Sequence, residues 1–173
     1  MTTTTGTRVW KLSLPAPTIH VPHRKTGQPK PPGGWPNKPA AGWLTMNGDK
    51  GSWRAKHRLT TEWRNLATTA AMTARLPRGD VQRARFDVAL RFARGGRRDP
   101  INWHPTCKAV IDALTSGTKK HPGWGFLPDD APRFLHCEDC PHIRIGTRLP
   151  VVPLGPLGVL ELTITDLSDG NDA

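Results

Sequence analysis

Between Arg97 and Asp130 the chain reads RRDPINWHPTCKAVIDALTSGTKKHPGWGFLPDD, grouping acids, an amide and a lysine around one helix start. Asp99 and Asn102 fall in a proline-containing loop, Lys108 just inside the helix, and Asp129-Asp130 after it. Carboxylate oxygens hold Mg2+ or Mn2+, and an ion so held can polarise a phosphate and activate a water. A lysine beside it offsets the charge added to the phosphate. Asp99, Lys108 and Asp129-Asp130 are therefore candidates for the site of a metal-dependent phosphodiesterase acting on nucleic acid. The same residues also suit a bland reading. Asp-Pro opens turns, Asp-Asp decorates loops, and Lys108–Asp112 can be a surface ion pair worth about 0.3–0.5 kcal/mol. Spacing alone leaves the two readings even.

The elements around this stretch have to position it. Pro105 suits a first helical position, where its missing N–H costs nothing. Cys107, Val110, Ile111 and Leu114 then share an apolar face, which makes Cys107 a core residue, while His104, Lys108 and Asp112 share another. Helical side chains lean toward the N-terminus, so Lys108 is expected to reach back over the loop of Asp99 and Asn102. The helix start adds its own positive end, favourable to phosphate. Gly123, Gly125 and Pro128 allow the chain to return with Asp129-Asp130.

Alternating apolar residues predict strands at Thr7–Leu14, Arg83–Phe92 and Gly158–Asp166, with Pro132–Thr147 also strand-like. Leu59, Trp63, Leu66, Ala67, Ala70 and Ala74 recur at helical spacing, predicting a helix over Arg54–Arg75 that Pro77 and Gly79 end. Eight prolines between Pro15 and Gly42 predict a long basic loop without regular structure. Residues 167–173 are expected to fray. Together these give a single α/β domain over 1–173, a small mixed sheet flanked by helices.

Charge is uneven. Residues 1–98 carry 19 Lys/Arg against 4 Asp/Glu (+15), and residues 99–173 carry 6 against 10 (−4), which sum to the overall +11. A basic half beside an acidic half fits a polyanion partner around carboxylates, and also fits mere solubility. Arg54, Lys56 and Arg58 on the helix, where a solvated basic face is the default reading, and Arg94, Arg97 and Arg98 in the basic turn that follows the Arg83–Phe92 strand are the candidate DNA contacts. No apolar run is long enough to span a bilayer, so no membrane partner is expected. The N-terminus lacks a signal region, and three cysteines make no secreted disulfide framework; a cytoplasmic protein is expected.

RRDPINWHPTCKAVIDALTSG and the following GFLPDD resemble the core of the RusA-type Holliday-junction resolvases, above all phage-encoded members. KAVIDAL at 108–114 carries the resemblance best, and it is specific over about 97–130. It implies a RusA-like fold and a homodimeric, magnesium- or manganese-dependent endonuclease. Such an enzyme resolves four-way or other branched DNA by phosphodiester hydrolysis, leaving a 5′-phosphate, in recombination or in debranching before packaging. The family's metal acids carry over to Asp99 and Asp130, with Asp129 beside it, and its lysine to Lys108. The family pattern D-x-D-N-x-x-K is broken twice. Ile101 stands at the second acid, and five residues separate Asn102 from Lys108. Asn102, Asp112, Asp87 or a water must then replace the missing ligand. Otherwise the chain is a catalytically impaired protein that binds branched DNA. A metal nuclease for other DNA or RNA structures is the remaining alternative.

His136-Cys137-Glu138-Asp139-Cys140-Pro141-His142 holds metal-binding residue types, but so closely spaced that ordinary loop or strand residues fit better than zinc. Seven tryptophans and no tyrosine are present. Trp63 reads as core. Trp35, Trp43, Trp53, Trp103 and Trp124 fall in loops or near Gly and Pro, and Trp103, between Asn102 and His104, is the candidate for stacking on an opened base.

Overall fold

The computed structural model describes residues 7–22, 28–33, 37–40, 42–46, 53–92, 99–136, 142–146 and 157–168. In chain order these form β1 (Val9–Pro15), β2 (Ile19–Pro22), β3 (Asn37–Ala40), α1 (Trp53–Thr73) and β4 (Ala84–Arg91). A 3-10 turn (Pro100–Trp103) then leads into α2 (His104–Leu114), followed by β5 (Leu135–His136), β6 (His142–Gly146) and β7 (Val159–Asp166).

The sheet is mixed. β7 lies between β1 and β4 and runs antiparallel to both, so β1 and β4 are parallel to each other. The far edge of β4 pairs in parallel with β5 at its start and β6 further along. The alternation read from sequence sets the register. Trp10, Ile164 and Phe86 share one rung, Leu12, Leu162 and Val88 the next, and Leu14, Leu160 and Leu90 a third. These rungs face α1 and α2 in one core with Trp63, Ala67, Cys107, Val110, Leu114 and Phe126. A period of two on the strands and 3.6 on the helices thus converges on one buried layer.

Three sequence expectations need correction. The segment from Pro15 to Gly42 is not free of regular structure, because β2 and β3 pair antiparallel in a two-stranded ribbon. Both strands are edges, and the pairs His20↔Pro39 and Pro22↔Asn37 lie two residues apart in register. Edge strands are where a sheet tolerates proline. Residues 132–134 form a turn, leaving strand only at 135–136 and 142–146. Fraying does not begin at 167. Leu167 N–H donates to the Arg83 carbonyl (2.9 Å), and Ser168 Oγ accepts from Gln82 N–H (2.9 Å). The basic turn with Arg94, Arg97 and Arg98, the Cys137–Cys140 segment and Trp35 lie outside the described residues.

Candidate active site

α2 starts where the sequence placed it, with Pro105 in its first turn and Cys107, Val110, Ile111 and Leu114 buried. Burial pushes the Cys107 thiol up to about 12, so it stays a neutral core residue. Thr106, also buried, clamps the helix to the loop before α1. Its hydroxyl accepts from Leu44 N–H (2.9 Å) and donates to the Leu44 carbonyl (2.8 Å). Met46 N–H donates to the Asn102 carbonyl (2.8 Å), which ties the 3-10 turn to the same loop.

At its other end α2 hands its carbonyls to the returning chain. Ala113, Leu114 and Thr115 accept from the N–H groups of Trp124 (2.7 Å), Phe126 (2.8 Å) and Gly125 (3.0 Å). Helix-end carbonyls lack partners within the helix, so this wrap satisfies them. The approach is so close that a side chain at Gly123 would strike the Thr115 carbonyl. Buried Phe126 and Leu127 anchor the segment. Asp129 and Asp130 emerge just beyond, beside the first turns of α2.

There the Lys108 ammonium is shared by two carboxylates. It donates to Asp112 Oδ1 (2.7 Å), one turn along the helix, and to Asp130 Oδ2 across from it. Asp129 Oδ1 accepts from Asp130 N–H (2.7 Å). Arg64 of α1 approaches the same acid, its Nη1 3.8 Å from Asp112 Oδ2. Partial burial pulls the Lys108 pKa down, but its hydrogen bonds and charge attraction to Asp112 and Asp130 outweigh this and leave it above the ordinary lysine value. The bond from Lys108 is the largest cause holding Asp130 below the usual carboxylate range, and desolvation opposes it. At neutral pH the lysine is therefore a fixed cation and Asp130 an anion.

The structure thus brings together Lys108, Asp112 and Asp130, with Asp129 adjacent. Asp99 is employed elsewhere. It caps the 3-10 turn, its Oδ1 accepting from Ile101 N–H (3.1 Å). Lys108 does not reach back to that loop as expected, because Asp112 itself leans N-terminally onto the lysine and Asp130 meets it from the side. Among the described residues no three His, Cys, Asp or Glu side chains are close enough to hold a metal, so Asp99, Asp129 and Asp130 do not form such a set. What is present is two hard carboxylates converging on one cation, a donor pair that suits Mg2+ or Mn2+ in kind.

Ile101 is 60% exposed. Trp103 packs against the core and keeps part of its surface in solvent. It is half-buried with ring centroids 4.7 Å from Phe92 and 5.7 Å from Trp43. Trp53 is the exposed tryptophan among those described, at 71%. Arg54 and Lys56 are exposed on α1, and Arg58, also exposed, donates to the His20 carbonyl (3.4 Å). Sequence reasoning missed Arg64 as a partner of Asp112, since only the packing of α1 on α2 joins them. The 108/112 spacing did signal Asp112, but as a supplementary donor.

No family model matches the chain, and no curated protein was found similar to it. No helix among the described residues is long and apolar enough to cross a membrane.

Proposed function

We propose that this chain is a RusA-like, divalent-metal-dependent endonuclease that cuts four-way or other branched DNA. The observation carrying this reading is the Lys108 ammonium held between Asp112 and Asp130 on a strongly basic chain. The resemblance of residues 97–130 to the junction resolvases supports it. Asp112 and Asp130 would hold the metal, with Asp129 beside them. Asp99 keeps its place as a candidate from the resemblance. When bound, the metal supplies a polarised phosphate and an activated water. Lys108, charged throughout the neutral range, pairs with a non-bridging phosphate oxygen and offsets the charge added by attack. Asp112, through its contact with Arg64, fixes where the lysine sits. A four-way junction has two-fold symmetry and needs two cuts, so the active form on that substrate is a homodimer.

The exposed Ile101, at the position the family fills with an acid, favours a second reading, in which the chain binds junctions without cutting them. Incubating a synthetic four-way junction beside matched linear duplex, flap DNA and RNA, with Mg2+, Mn2+ or EDTA, separates these. Paired, metal-dependent cuts confined to the junction are expected. Tight junction binding with no cut in either metal would favour the second reading, and cuts in flaps or RNA alone would redirect the substrate class.

A further inference from the structure

We propose that the exposed face of α1 carries an unpaired strand of nucleic acid away from the Lys108 site, and that Trp53 stacks on one of its bases. The inference rests on the nucleic-acid reading above and names a stacking residue within it. Trp53 opens α1 with most of its ring in solvent. Two neighbours on its own helix meet the ring. The Arg54 guanidinium lies 6.0 Å from the ring centroid, and the His57 ring meets it edge-on at 6.4 Å. A lone exposed apolar side chain needs no explanation. An exposed indole beside an arginine and a histidine has the parts of a site for single strands, since bases stack on the ring while phosphates meet the charges of Arg54 and Lys56.

The track is continuous with the site. At about 100° per residue, Trp53, His57, Thr60 and Arg64 fall within one strip of α1, with Arg54 and Lys56 on either side of it. Arg64, at the end of that strip, is the residue that touches Asp112. The helix's one acid, Glu62, sits on the opposite side. Beyond Arg64 the exposed Lys119-Lys120 turn prolongs the positive surface, its His121 carbonyl accepting from Arg64 Nη2 (3.4 Å). From Arg64 to Trp53 is about 16 Å at 1.5 Å per residue, a span of a few nucleotides. An acidic protein would also seek these cations and bury the ring, and the comparison of base-bearing with abasic strands below separates the two.

The test is fluorescence anisotropy in EDTA, where no metal-dependent cutting runs, with a labelled oligothymidine and an abasic strand of equal length. The parent protein is expected to bind the base-bearing strand more tightly. Trp53→Ala should weaken that strand about tenfold, to the level of the abasic one, and leave abasic binding unchanged. Trp53→Phe should recover most of the loss, which also guards against misfolding. Equal affinity of Trp53→Ala and parent for the base-bearing strand, or equal losses on both strands, would overturn the proposal. So would absence of binding to either strand. A Trp53-dependent preference in a protein that never cuts a junction would keep the strand track and sink the nuclease reading alone.

Discussion

Arg64 and Asp112 meet across the packed helices α1 and α2, with Nη1 3.8 Å from Oδ2. Asp112 is thereby contacted by two cations, Arg64 from outside its helix and Lys108 from within it. Lys108 is in turn held by two acids. The arrangement nearly balances its own charge, yet each ion is partly open to solvent. Exposed pairs of this kind contribute little to stability, commonly below about 1 kcal/mol. What they do is hold a lysine and two carboxylates together.

If those carboxylates do chemistry, removing one charge at constant size should abolish cutting without unfolding the chain. Asp130→Asn and Asp112→Asn are each expected to lower the junction cleavage rate at least about a hundredfold, with junction binding by gel shift retained. Asp99→Asn keeps an oxygen able to accept from Ile101 N–H, so its thermal transition should match the parent's. Loss of cutting in that variant would tie Asp99 to the chemistry and not merely to its cap. Unimpaired cutting by Asp130→Asn would remove these acids from the mechanism.

Lys108→Met tests the pairing itself. The hydrogen bond from Lys108 is the first cause of the depressed Asp130 pKa, so its removal should raise that value, and a carboxyl-detected NMR titration would report it. An unmoved Asp130 titration would mean that the lysine and the acid do not interact in solution. Cleavage should slow in the same variant, because the cation facing the phosphate is gone.

Much of the fold was legible in the sequence because its signals are local. Phe86, Val88 and Leu90 alternate along β4, and Leu59, Trp63 and Ala67 recur along α1; both sets are buried. The β2–β3 ribbon was not legible, since proline argues against a strand unless one knows that the strand is an edge. At the site, Lys108 and Asp130 were found from residue type, and the return of the chain from its glycines. At Asp99 the sequence leaves two roles open, because an acid at a turn start and an acid at a metal look alike. Trp103 and Trp53 could not be told apart by exposure for a related reason. Only the docking of Trp43 and Phe92 decides which ring is covered.

Thr106 provides a test of how the site is anchored. Its buried hydroxyl answers both the N–H and the carbonyl of Leu44. Thr106→Val keeps the shape and leaves those groups unpaired, at about 1–3 kcal/mol for a buried polar group without a partner. Thr106→Ser retains the hydroxyl and should lose less. Chemical denaturation of the three proteins checks the order, and equal stability of the valine variant and the parent would show that the loop is not held through this bond.

Asp166 gives the fold an acid-sensitive tie whose sign can be worked out. Its carboxylate, 5% exposed, accepts from Arg8 Nε (2.8 Å) and from Ser168 N–H (2.9 Å), joining the end of β7 to the residue before β1. Burial alone would raise its pKa, but the Ser168 bonds and then Arg8 outweigh it and hold the group below the ordinary range. A depressed folded value means that the unfolded chain binds the proton more readily. The stabilisation is therefore present above the unfolded value of about 3.9 and is lost as pH falls through the folded one. Asp130 shifts in the same direction, so the parent's own acid profile mixes the two. Comparison with Asp166→Asn isolates the tie. That variant should be clearly less stable than the parent in urea at pH 7, and the gap should narrow as the pH approaches 3. A gap independent of pH would mean that packing, and not the charge on Asp166, holds the two strand ends together.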